Sequence, residues 1–135
     1  MLKKTIFSLL LLFITFFFLS ACKKSYEKKE VEIMEKIEGT WKRVNVADIS
    51  SPILHEWTYT NGAITVCEVN NALLTKDTLY TANYDVSVKF RKKTFTITYC
   101  SWSYYQGEWT IHKIEDTYFS FYRQHGGLEY LEFYK

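Results

Sequence analysis

Two neighbouring segments constrain this chain more than any others. Val86, Val88 and Phe90 alternate with Asp85, Ser87, Lys89 and Arg91, and Phe95, Ile97 and Tyr99 alternate with Thr94, Thr96 and Thr98. A period of two marks an extended strand with one wet and one dry face, and the basic run from Arg91 to Lys93 supplies a turn, so the pair predicts a hairpin. The same texture continues on both sides. Residues 41–46, 57–60, 63–69, 104–111, 118–123 and 128–134 are short runs rich in β-branched and aromatic side chains, and 79–84 is a weaker one. Turn signals fall between them at Asn61-Gly62, Asn70-Asn71 and Gly126-Gly127, and the only proline, Pro52, sits in a longer loop. Seven to nine adjacent antiparallel strands must hide their edges by closing into a barrel or stacking as two sheets. The expected fold is all-β, a small antiparallel barrel with a short helix before it.

The N-terminus has a different character. Lys3 and Lys4 precede an apolar run from Ile6 to Leu19, 14 residues long, that leads into Leu19-Ser20-Ala21-Cys22. A basic start, a short apolar core and small residues describe a secretory signal peptide, and the run is shorter than the ~20 residues of a membrane span. The closing residues resemble the lipobox of bacterial lipoproteins, where the chain is cut before a cysteine that carries a diacylglycerol. That resemblance implies a signal peptide over 1–21, lipid attachment at Cys22 with acyl chains of the palmitate type, and anchoring in the bacterial cell envelope. The outer membrane is favoured, with periplasmic and surface faces both open. The alternative is an uncleaved anchor that happens to end in cysteine.

Removal of residues 1–21 leaves 114 of the 135 residues, enough for one domain, and lowers the formal charge from +2 to 0 because Lys3 and Lys4 are lost. A neutral domain with no strongly basic face in its composition does not suggest nucleic acid as a partner. With Cys22 committed to lipid, Cys67 and Cys100 are the remaining thiols, and an even remainder outside the cytoplasm predicts a disulfide between them; two separate buried thiols are the alternative. No CxxC or HExxH occurs, and His55, His112 and His125 lie far apart, so no metal is expected.

Residues 22–36 form a charged tether. Five lysines and five glutamates fall within 23–38, and Val31, Met34 and Ile37 predict a short helix from about Lys29 that lays one stripe on the domain. Immediately after it, Ile37-Glu38-Gly39-Thr40-Trp41 resembles the lipocalin-like small lipoproteins of bacteria, in which Gly-x-Trp opens the first strand after a helical segment. Gly107-Glu108-Trp109 repeats the spacing. The resemblance covers 37–135 and makes Gly39, Trp41, Gly107 and Trp109 a structural motif of a barrel with room for a cavity, but it carries no ligand. Two features depart from the lipocalin pattern. Asp116-Thr117-Tyr118 falls too near the end to be the mid-chain turn, and Arg123 is only a candidate for the late arginine stacked on the first-strand tryptophan.

After residue 21 the chain keeps four Trp, eleven Tyr and five Phe. A tyrosine excess suits a cavity mouth or an interface, because the ring is apolar while the hydroxyl reaches water or a polar ligand. The first functional expectation is capture of a small apolar or amphipathic molecule in the barrel, lined by Trp57, Tyr84, Phe90, Tyr99 and Trp109. The second is an envelope protein-interaction module, an inhibitor or accessory subunit, with a filled barrel and with Trp102, Tyr104 and Tyr105 on its surface. Catalysis is not expected. His125-Gly126-Gly127 lacks a Gly-x-Ser-x-Gly partner motif and reads as a hairpin, Glu115-Asp116 reads as a solvated turn, and no cofactor is implied.

Overall fold

Eight antiparallel strands run up and down in chain order and the last pairs with the first, closing a barrel, in a computed structural model described for residues 23–44 and 51–135. The expected signal peptide, Cys22 and the end of the first predicted strand lie outside the described residues. The strands are β1 (Gly39–Arg43), β2 (Ile53–Thr60), β3 (Ala63–Asn70), β4 (Thr75–Lys89), β5 (Lys92–Thr98), β6 (Gly107–Ile114), β7 (Tyr118–Gln124) and β8 (Leu128–Tyr134). A helix, α1, covers 23–37. No helix among the described residues is long and apolar enough to cross a membrane.

The period-two pattern is what closes the ring. β4 shows it at length: Tyr80, Ala82, Tyr84, Val86 and Val88 are buried while most residues between them are exposed. The doubtful segment 79–84 and the clear one after it are therefore a single strand of 15 residues. Cross-strand partners on the inner face bring large rings together, as in Trp41 opposite Trp57, Phe95 opposite Trp109 and Phe119 opposite Phe133.

Up-and-down order gives the barrel two distinct ends. At one lie α1 and the β2–β3, β4–β5 and β6–β7 turns, and at the other the β1–β2, β3–β4, β5–β6 and β7–β8 connections. At the helix end, Ile33 and Ile37 are buried four residues apart, Met34 is half-buried and Val31 is 55 % exposed. The stripe thus runs through Ile33 and Ile37 rather than Val31, Met34 and Ile37, and 23–28 continues the helix instead of forming a solvated tether. Two carboxylates hold α1 to the turns: Glu30 Oε1 accepts from Val88 N at 2.7 Å and Glu38 Oε1 from Asn61 N at 3.2 Å.

Candidate functional site

The long β5–β6 connection shapes the loop end. Gly107 has φ +120°, a backbone angle that side chains disfavour, and so turns the chain sharply into β6. Ahead of it, Ser103–Tyr105 coils into a 3-10 turn. Tyr105, expected on the surface, is instead 1 % exposed. The turn points its ring into the barrel mouth, edge-on to Trp57 at 5.0 Å, and Arg43 Nη1 donates to its hydroxyl. Burial pushes the Tyr105 phenol up, opposed by the Arg43 charge.

With Tyr105 as the plug, its neighbours are splayed outward. Trp102 and Tyr104 are 48 % and 42 % exposed, with ring centres 4.9 and 5.1 Å from that of Tyr105. Arg123 lies beneath Tyr104. Its guanidinium carbon is 5.0 Å from the Tyr104 ring centre and 4.2 Å from that of Trp109, while Nε donates to Glu129 Oε2 at 2.6 Å. Trp102, Tyr104 and Arg123 therefore form a patch whose side chains are fixed by stacking and by a charge-assisted hydrogen bond, not left free in solvent. Leu73 and Leu74 on the β3–β4 connection, and Leu128 at the start of β8, are exposed at the same end.

The interior is occupied by the protein's own rings. Trp57, Tyr84 and Trp109 are buried in the interior, joined by Trp41, Tyr59, Phe95, Phe119, Phe121 and Phe133. Ring centres of Phe95 and Phe121 stand 4.2 Å apart, and those of Phe119 and Phe133 4.6 Å apart. An eight-stranded barrel is just wide enough to be filled by side chains, and residues of this size fill it. Among the described residues, the buried Trp57 Nε1, Arg43 Nε, Ser120 Oγ and the hydroxyls of Tyr59, Tyr80 and Tyr84 have no protein hydrogen-bond partner. Burial drives the Tyr59 phenol well above its ordinary value, and the neighbouring Tyr80 and Tyr84 add to this.

Phe90 and Tyr99 do not line the interior. Each follows the last residue of its strand with positive φ, +54° and +52°, which swings the side chain out to 89 % and 85 % exposure. Arithmetic alternation carried the inward face one residue past the point where the strand stops. Cys67 and Cys100 also depart from expectation, since both are free thiols. Cys67 is on β3 and Cys100 follows β5, and β4 runs between them. Two strand spacings amount to about 9–10 Å, beyond the ~7 Å that a bridge spans between Cα atoms. Cys67 Sγ instead faces Thr78 Oγ1 at 3.8 Å.

Both Gly-x-Trp motifs have the same geometry. Gly39 has φ +117° to match Gly107, and Trp41 and Trp109 are fully buried. Arg123 stacks on Trp109 rather than on the first-strand Trp41, which Lys135 covers with Nζ 4.5 Å from a ring centre. Arg43 was not singled out from the sequence, although its place two residues after Trp41 puts it on the same inward face of β1. Comparison with known proteins finds no family model, no curated protein and no solved structure that matches the chain.

Proposed function

We propose that the chain is a lipoprotein of the bacterial envelope, tethered through Cys22, whose barrel is a protein-binding module presenting Trp102, Tyr104 and Arg123. The observation that carries this reading is the contrast between a barrel packed with its own aromatic rings and a rim where a Trp and a Tyr stand exposed over a locked arginine. Trp, Tyr and Arg are the residues that most often dominate binding energy at protein interfaces, and prior ordering of the patch lowers the entropic cost of docking. A photo-crosslinking side chain in place of Tyr104, in the full chain in its own envelope, should capture a discrete partner, and Trp102→Ala should abolish capture. Cys22→Ser should release the protein from membranes.

A second reading, capture of a small apolar or amphipathic molecule, draws support from the unpartnered Trp57 Nε1 and Tyr59 hydroxyl among the inward rings. Mass spectrometry of the protein from its envelope, native against denatured, separates the two. A defined mass lost on denaturing supports the carrier, and a bare mass with a crosslinked partner supports the binding module.

A further inference from the structure

At the helix end, the β4–β5 connection is a two-residue turn, Phe90 and Arg91, whose first position has φ +54°. Glycine is favoured there, because a side chain in this conformation is strained. The chain places a phenylalanine there and leaves it 89 % exposed, so the residue is unfavourable for both the turn and the solvent. Strain of this kind points to a role away from the fold.

Basic residues flank it in sequence, Lys89 before and Arg91, Lys92 and Lys93 after. Beside the turn, α1 and β6 enclose a groove of about 820 Å³ into which Lys29, Lys36, Arg91, Lys92 and Lys93 project, with Glu32 as the one carboxylate in its lining. Lys92 is paired with Glu108 at 2.5 Å. Among the described residues, Lys29, Lys36, Arg91 and Lys93 have no carboxylate within 4.0 Å. Glu30, bonded to Val88, lies seven residues from Lys23, about 10 Å along the helix. The N-terminal apolar run thus ends, in sequence, a few residues before a helix that is fastened next to Phe90.

We propose that the helix end is a docking surface for an anionic phospholipid bilayer, with Phe90 entering the headgroup region and the unpaired groove cations meeting lipid phosphates. The inference rests on the membrane tether of the preceding reading and holds for a lipidated Cys22 or an uncleaved anchor. An aromatic side chain flanked by basic residues suits the bilayer interface, and each cation near an anionic surface strengthens apposition about fivefold. Docking in this sense turns the Trp102 and Tyr104 rim, at the opposite end, away from the bilayer.

The test uses the full chain reconstituted in vesicles of phosphatidylglycerol and phosphatidylcholine with brominated acyl chains, with Phe90→Trp as reporter, Leu74→Trp as its counterpart at the other end, and the wild-type signal subtracted. Phe90→Trp emission should shift to the blue and be quenched, Leu74→Trp should not respond, and Arg91→Glu with Lys93→Glu should abolish the quenching, as should vesicles of phosphatidylcholine alone. A solvent-like Phe90→Trp signal in the anionic vesicles, or equal quenching at both ends, overturns the proposal. Pelleting reports on the tether separately: a chain left in the supernatant removes tether and docking together, whereas a pelleted chain with a solvent-like reporter removes docking alone.

Discussion

Trp41 and Trp109 make the same bond at opposite ends of the barrel. Each indole Nε1 donates to the carbonyl four residues earlier, Trp41 to Ile37 at 2.7 Å and Trp109 to Tyr105 at 2.9 Å. In both cases the acceptor belongs to a helical turn, the turn ends at a glycine of positive φ, and a cation covers the ring. The glycine turns the chain so that the indole swings back under the helical segment, and the hydrogen bond fixes that segment across the barrel mouth. One device, used twice, stoppers both ends.

The glycines therefore act through backbone angle rather than through space. A Cβ built on Gly39 or Gly107 meets nothing within 4 Å. Gly107→Ala should nevertheless destabilise the fold by about 1–3 kcal/mol from strain alone, with Gly39→Ala comparable, read as a lower denaturant midpoint at unchanged slope.

Phe90 predicts the opposite effect. Phe90→Gly should relieve the positive-φ strain and stabilise the barrel by about 0.5–1 kcal/mol, net of the entropy that glycine loses. Thermal unfolding measures this in solution. A gain in stability together with weaker bilayer docking would identify the residue as one kept at the expense of the fold.

Alkali should unfold the protein through its buried phenols. Burial raises Tyr59, Tyr80, Tyr84 and Tyr105 above the ordinary value of 10.0. Below pH 10 both states keep these protons and the contribution is complete; above it the unfolded chain releases protons that the barrel retains, so stability falls as pH rises. Tyrosinate absorbance from these rings should appear together with loss of structure. Tyr59→Phe should lessen the alkaline loss and, by removing a buried hydroxyl without a partner, stabilise the neutral protein by about 1 kcal/mol.

The thiols give a simple check. Peptides containing Cys67 and Cys100 should each take up an alkylating reagent without prior reduction, Cys100 ahead of the buried Cys67. A reagent-resistant pair that opens only with reductant would restore the bridge.

Much of the barrel could be read in advance because its strands have one wet face. The Val86 and Phe95 hairpin, the Asn61-Gly62 turn and the inward Trp57 and Trp109 all follow from alternation and turn chemistry. Legibility ended where backbone angle, rather than side-chain character, decides direction. Phe90 and Tyr99 continue an apolar pattern but lie just beyond the strand, where a positive φ reverses them. Tyr104 and Tyr105 open the strand-like run 104–111, yet the strand begins only at Gly107, and the 3-10 turn before it sends Tyr105 inward while leaving Trp102 and Tyr104 outside. The helix stripe was misread because Ile37 stands three residues from Met34 and four from Ile33, and spacing alone accommodates both. Linear spacing also does not reveal that β4 separates Cys67 from Cys100. At the rim, the aromatic cluster could be read from the sequence, but its ordering by Arg43 and Arg123 could not, because both pairings depend on which strands meet at one end.

Among the described residues, the seam between β1 and β8 is the narrowest in the ring, with Lys42 opposite Tyr134, Arg43 opposite Phe133 and one further bond from Val44 N to Glu132 O at 2.8 Å. It joins the first strand to the last, whereas every other pairing links neighbours in sequence. During folding, hairpins can form one after another, but the ring cannot shut until β8 arrives, and until then the edge of β1 stays open beside Trp41. The interval before closure is thus when the molecule is most exposed to pairing with a stray strand, and the time spent as an open sheet, more than the strength of the finished barrel, sets its risk of misassembly.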